Sequence, residues 1–414
     1  MGQQMSQFIA TIPNNAAGRN AIEHLREFGR GEFGITYEES LADSLLNRWF
    51  SPGEIRAPRV LNELPYGFHT IDIVDGQEVA AVPKILRWHS DPTGLKRWRG
   101  HIEAIEPNVQ LTLAAVGVPF TAGDMHLGYL KMLNVSAARR GGQRIVKVAV
   151  LDTGSHALSF VSDFYDLTKT ASNLHPGARG QVDVNGHGTA MATLIHEVAP
   201  GATLAMVRIA EDVPEYLHVL AGVAVAVCDC QAEIVNLSLG FKHFGGTCGG
   251  CGANAISRSI ALQKLLAMLT EVDPTNVPGF IAPIFVAATG NAGVATGFHY
   301  PAAFDYTIAV GSVSGSSSRS SFSNYGTVHP AYLVAPGGED APNCKETVGS
   351  GSTGDCFGTS VATAYVSGIL ALMRQDLKYS SLSRDKLIAA LLKMCTLPAG
   401  TNANEYGRGV IRYS

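Results

Sequence analysis

The sequence is short of charge. Only 16% of its 414 residues are Asp, Glu, Lys or Arg, against about 25% in an ordinary globular chain, while 46% are hydrophobic. That balance excludes wholesale disorder and allows a sizeable core. At about 100–200 residues per domain, the length implies one large domain or two unequal ones. Charge of one sign is scarce too. A net charge of −4 gives no field for recruiting nucleic acid, and the local basic cluster of Lys84, Arg87, Lys96, Arg97 and Arg99 reads as a solvated face. Long apolar runs are also missing. The longest, around residues 219–228, is half of the about 20 residues that a membrane span needs. The N-terminus lacks a basic start followed by an apolar block, so no secretory signal is read there. Gly2 and Ser6 fit only the loose myristoylation pattern. The expected compartment is the cytoplasm, with secretion as the alternative.

Cysteine is sparse and odd in number. The seven are Cys228, Cys230, Cys248, Cys251, Cys344, Cys356 and Cys395, a count that leans towards reduced thiols. The pairs Cys228/Cys230 and Cys248/Cys251 invite a zinc reading. An intervening strand over residues 233–240 would separate them by roughly 20–25 Å, so separate thiols or a local Cys248–Cys251 pair are favoured. Cys344 and Cys356 could pair, or could sense redox state beside Ser360.

What is abundant is glycine, 45 residues in all, crowded into the last 290 positions, whereas Trp49, Trp88 and Trp98 lie in the first hundred. This shift predicts a domain boundary within residues 111–123, with an N-terminal domain over 1–115 and a catalytic domain over 116–414. Beyond residue 140, continuous apolar runs at 145–151, 203–209, 234–239, 281–288 and 307–313 read as strands buried on both faces. Helical stretches at 188–198, 214–228 and 253–269 alternate with them. Strand alternating with helix implies an α/β fold with a parallel sheet, whose ligands gather at the carboxyl ends of the strands.

Chemistry-bearing residues stand at those ends. Asp152 closes the first strand. His187, between Gly186 and Gly188, opens an apolar helix. Ser360 sits at a helix N-terminus, where backbone N–H groups and the helix dipole favour developing negative charge. Asn291 follows a strand that ends Ala288-Thr289-Gly290, and offers a rigid amide donor for an oxyanion. Each has an ordinary reading as a turn, a cap or a core residue. Together they supply a nucleophile, a base and an orienting carboxylate in the order Asp, His, Ser.

The segments VAVLDTG, NGHGTAMA, AATGN and GTSVATAYVSG resemble the four signature segments of the subtilisin-like serine proteases, the subtilases, and the resemblance runs over about residues 125–414. It implies a three-layer α/β fold with a mainly parallel central sheet, preceded here by a small α+β domain. It implies hydrolysis of peptide bonds through an acyl-enzyme, with Ser360 as nucleophile, His187 as base and then acid, Asp152 as orienting carboxylate and Asn291 as oxyanion donor. Ser238, Leu239 and Gly240 would pair with extended substrate and wall the pocket for the residue before the scissile bond (P1), together with Ala288 and Gly290. No cofactor is required by this chemistry, no metal ligand is assigned, and structural calcium is left open. The expected partners are a peptide or protein substrate, with no nucleic acid and no membrane span. A macrocyclase, which passes the acyl group to an amine, is the alternative.

Two features depart from the family pattern. Thr363-Ala364-Tyr365 replaces the usual Ala-Pro-His after the nucleophile. His299 precedes Tyr300-Pro301 where the family often has Gly, which predicts a pocket that prefers polar or acidic P1 side chains. In the N-terminal region, residues 67–73 and 101–107 resemble two strands of the inhibitory propeptide found ahead of many subtilases. They predict a zymogen whose own carboxyl-terminal segment, within 111–123, is cut, or else a permanent accessory domain.

Overall fold

A computed structural model describes residues 7–28, 35–37, 60, 64–73, 102–108, 112–113, 124–136, 144–168, 181–241, 244–247, 254–257, 259–272, 277–295, 297–326, 328–341, 344–346, 350–351 and 354–414. The basic cluster, the three tryptophans and Cys248 and Cys251 lie outside the described residues.

The N-terminal part forms β1 (Gln7–Pro13), α1 (Ala16–Phe28), β2 (Ile35–Tyr37), β3 (Tyr66–Ile73) and β4 (Ala104–Pro107). They build a four-stranded antiparallel sheet in the order β2-β3-β1-β4. The two segments expected to resemble propeptide strands are thus both strands, on either side of β1. A short strand, β5 (Thr112–Leu113), follows, and α2 (Asp124–Met132) leads into the second part.

The second part is built on a nine-stranded sheet. Its elements in chain order are β6 (Lys147–Asp152), β7 (Val161–Asp166), α3 (His187–Val198), β8 (Thr203–Arg208), α4 (Tyr216–Cys228), β9 (Ile234–Leu237), β10 (Leu239–Gly240), α5 (Ile260–Glu271), β11 (Ile284–Ala288), β12 (Thr307–Val313), β13 (Tyr332–Pro336), α6 (Thr359–Gln375), β14 (Cys395–Thr396) and β15 (Val410–Ile411). The order across the sheet is β14-β15-β13-β12-β11-β9-β6-β8-β7, with β10 outside it, and every pairing is parallel except β14 with β15.

The alternation of a strand divides its side chains between two cores. On β6, Ala149 and Leu151 join the α4 and α5 side, while Val148 and Val150 join the α3 and α6 side. This produces the expected three layers. Ile9 and Phe68 of the N-terminal sheet, with Leu64 just before β3, belong to the α4 and α5 core, so that sheet packs against these two helices.

Two expectations need correction. The helix expected over 253–269 begins only at Ile260, because Asn254–Ser257 pairs as a strand with Phe244–Thr247. Residues 281–283, expected in a strand, precede β11. A short apolar run does not mark where hydrogen-bonded pairing begins.

Candidate active site

Asp152 ends β6 and is fully buried. Its Oδ1 accepts from the Thr153 amide at 2.8 Å and lies 2.7 Å from Nδ1 of His187. A carboxylate there can only accept, so Nδ1 carries the proton and Nε2 is left with the lone pair that a base needs. His187 is the first residue of α3 and is also buried. Its neighbour must be glycine, because a Cβ on Gly188 would stand 2.1 Å from the Gly154 carbonyl oxygen. The glycines around the imidazole therefore serve close approach of the Asp152–Gly154 turn.

Ser360 is the second residue of α6. Its hydroxyl donates to the Ser238 carbonyl at 3.1 Å, and the Ser238 hydroxyl returns a bond to the Ser360 carbonyl at 3.0 Å. Nε2 of His187 has no hydrogen-bond partner among the described residues. The serine–histidine bond is thus not made in this structure, and such bonds often tighten only around substrate. Asn291 follows Gly290, whose φ of +102° turns the chain out of β11. Its Oδ1 accepts from the Thr359 amide at 2.9 Å and the Thr359 hydroxyl at 2.7 Å. With the oxygen end occupied by Thr359, the residue before Ser360, the amide nitrogen is the end left for an oxyanion.

The pocket residues gather beside these groups. Ser238 links β9 to β10. His299 donates its amide to the Thr289 carbonyl, and Tyr300 exchanges both backbone bonds with Phe241, which fastens the 299–301 turn to the end of β10. A Cβ on Gly240 would lie 3.0 Å from Cβ of His299, and one on Gly290 would lie 2.5 Å from its Nδ1. Ala288 ends β11 and is buried. All ten residues named from sequence thus converge on the carboxyl ends of β6, β9 and β11.

Two supporting residues escaped the sequence reading. Asp183, 2% exposed, accepts from the Gly186 amide (2.6 Å), the Thr189 amide (2.8 Å), the Thr189 hydroxyl (2.6 Å) and the Thr153 hydroxyl (2.9 Å). One buried carboxylate therefore ties the turn after Asp152 to the first turn of α3. Asn324 does the same for the loop that carries Asn291. It accepts from the Ala292 and Val294 amides and donates to the Thr289 carbonyl. Both resemble turn formers in sequence, and only the long-range bonds distinguish them.

Burial by itself would lower the His187 pKa, but the charge and hydrogen bond of Asp152, helped by the charge of Asp183, raise it above the ordinary 6.5. The neutral imidazole, the form that acts as base, therefore appears only as pH rises through that raised value. The acid limb of kcat/KM is expected to have its midpoint above pH 6.5, and in Asp183→Asn, which removes one of the two raising charges, to move to lower pH. Identical limbs in both proteins would show that the Asp183 charge is not felt at the imidazole.

Cys356 is a free, buried thiol pushed up to about 12 by burial and then by Asp152. It is neither paired with Cys344 nor in the thiolate form that a redox sensor uses. Cys228, Cys230 and Cys395 are free as well, and no group of metal ligands occurs among the described residues.

The Subtilase family matches residues 143–409, which is more than half of the chain. The chain belongs to the subtilase family. This subtilase is a serine-type endopeptidase, as its homologues are. It is 30% identical to subtilisin BL of Lederbergia lenta over 267 residues, 64% of this chain and 88% of that one. It is 30% identical to the M-protease of Shouchella clausii over 313 residues, 75% of this chain and 72% of the other. In shape it resembles a mutant of the epidermin leader peptide processing serine protease of Staphylococcus aureus. The TM-score is 0.66 at 18% identity, covering 99% of this chain and 98% of the other.

Proposed function

We propose that this subtilase hydrolyses peptide bonds through an acyl-enzyme formed on Ser360. The observation that carries this reading is the 2.7 Å contact between Asp152 and Nδ1 of His187, in a site that also presents Ser360 and Asn291. The Ser360 hydroxyl gives its proton to Nε2 of His187 as Oγ attacks the substrate carbonyl carbon. The negative charge that forms on the carbonyl oxygen is met by the Asn291 amide. His187 then protonates the leaving amine. Water repeats the sequence on the ester and restores the serine. Side chains carry every proton, so no cofactor enters. The test is reaction with a fluorophosphonate, which should label Ser360 in the wild type and nothing in Ser360→Ala.

A second reading, peptide maturation by hydrolysis or by transfer to an amine, draws support from the whole-chain likeness to a protease named for leader-peptide processing. Product mass separates the two fates of the acyl group. The linear acid released by hydrolysis is one water heavier than the cyclised peptide of the same residues. The same intermediate precedes both.

We further propose that the N-terminal domain inhibits the catalytic domain until it is cut away. Support comes from helix ends that it completes. Residue Ser259 precedes α5 with φ 54° and no side-chain cap. Glu106 of β4 takes over, accepting from the Ile260 amide at 2.9 Å and the Ala261 amide at 2.8 Å. Asn108 accepts from the Leu217 amide at the start of α4 (2.9 Å), and Lys264 pairs with Glu103 (3.0 Å). A lost helix cap costs about 0.5–2 kcal/mol. Glu106→Ala should therefore weaken inhibition by the freed N-terminal fragment by roughly threefold to thirtyfold. Its inhibition constant measures this, and an unchanged value would remove Glu106 from the docking surface.

A further inference from the structure

A cavity of about 340 Å³ opens at the amino ends of the parallel strands, away from the triad. Arg144 lies just before β6, Glu233 just before β9 and Phe280 to Ala282 before β11, and Arg374 reaches it from the last turn of α6. Glu233 and Ser238 stand at opposite ends of β9, roughly 16 Å apart in an extended chain. A ligand here touches no catalytic group.

The lining is unbalanced in charge. Oε2 of Glu233 accepts from Nη1 of Arg144 at 2.8 Å and lies 3.5 Å from Nε of Arg374. One carboxylate oxygen thus faces two guanidiniums. Arg374 is only 4% exposed. Its Nη1 donates to the Leu382 carbonyl at 2.6 Å, while Nε has no hydrogen-bond acceptor among the described residues. Burial lowers its pKa, Glu233 opposes this and Arg144 adds to it. A buried guanidinium with donors to spare is stabilised by a further anion.

The third arginine is spent on structure. Arg384 donates to the Pro283 and Tyr306 carbonyls and to Asp385. It opens helix α7 (Arg384–Lys393), whose N-cap residue Ser383 makes no side-chain cap and lines the same cavity. The positive end of α7 therefore adds to the two guanidiniums. The remaining wall, Phe280, Ile281 and Leu382, is apolar. A bare inorganic ion would leave that wall unused, and the volume is that of a small-molecule cleft.

We propose that this cavity binds an organic carboxylate carried on an apolar body. The carboxylate meets Arg144 and Arg374, and the body lies on Phe280, Ile281 and Leu382. The C-terminal residue of a peptide has this chemistry, and so does a free branched acid. The site stands apart from the acyl-enzyme reading and does not depend on it.

Calorimetry on the purified full chain, at one ionic strength, tests four probes: N-acetyl-leucine, 4-methylpentanoate, N-acetyl-leucinamide and inorganic phosphate. At least one of the two acids should bind with a Kd of about 1 mM or tighter. The neutral amide and phosphate should bind at least tenfold more weakly. Tighter binding of N-acetyl-leucine assigns the cavity to peptide ends, and equal or tighter binding of 4-methylpentanoate assigns it to free acids. Arg144→Gln should weaken the bound acid at least tenfold, about the loss of one charge-assisted hydrogen bond. Ile281→Glu, which sets a like charge in the apolar wall, should do the same. Arg412→Gln, on the exposed surface outside the cavity, should change nothing. The Arg144 side chain is 36% exposed and Ile281 is 43% exposed, so the fold should survive both changes, and melting curves check this. Neither acid binding, phosphate or the amide binding equally well, or Arg412→Gln weakening the acid as much as Arg144→Gln would each overturn the proposal. So would full affinity in Arg144→Gln and Ile281→Glu, the result expected if the acid sat in the active site instead.

Discussion

Ser360→Ala is expected to leave no measurable peptide hydrolysis, and His187→Ala nearly none. In subtilisin, losing either the serine or the histidine lowers kcat by about 2 × 10⁶, and the arrangement here gives no ground for a smaller loss. Among the described residues, the Ser360 hydroxyl is the one held between the Ser238 carbonyl and the N-terminus of α6. His187 is the imidazole whose proton is pinned by Asp152. The three act as one unit, so the double variant should be no worse than either single one. Both variants should fold, since Ser360 contributes one side-chain hydrogen bond to its surroundings and Ala suits a helix start. Circular dichroism and thermal melting check this beside the steady-state assay. Turnover by Ser360→Ala at even 1% of the wild type would remove the serine from the role of nucleophile.

Asn291→Ala is expected to keep KM within a few-fold and to lose about 10²–10³ in kcat, the cost known for removing the equivalent kind of donor from subtilisin. The split follows from when the amide acts. It meets charge that develops only as the tetrahedral species forms, so it contributes to the transition state and not to the ground state. One complication is specific to this chain. The Asn291 oxygen also accepts from the Thr359 amide and hydroxyl, one residue before the nucleophile, so alanine would free both donors. Asn291→Asp keeps those acceptors and loses only the amide donor. Equal losses in kcat for the two variants would assign the effect to the donor. A normal kcat in Asn291→Asp would assign it to Thr359.

Much of this site was legible in the sequence because its parts are local signals. A buried apolar run ending in Asp, an imidazole between glycines and a serine opening an apolar helix each belong to a stretch of fewer than ten residues. Parallel strands buried on both faces write themselves as continuous Val, Ile and Ala, so β6, β8, β9, β11 and β12 were all readable to within a few residues. β7 escaped notice because Ser162 and Asp163 interrupt its run, and Asp163 is held by Lys147 across the sheet at 2.8 Å. β15 is two residues long and is a strand through its pairing with β13 and β14.

The sequence by itself determined the layering, the residues proposed as the triad and the chain's family, since these depend on residue type at short spacing. The tertiary structure alone decided that Asp183 and Asn324 hold the turns beside Asp152 and Asn291, that Glu106 finishes α5 and that Cys356 is a buried thiol held in its neutral form. It also decided that His299 fills the space between Gly240 and Gly290, and that β5 pairs with β10. Each of these depends on groups brought together across tens to hundreds of positions. A carboxylate looks the same in sequence whether water or a buried amide satisfies it, and only the fold supplies the amide.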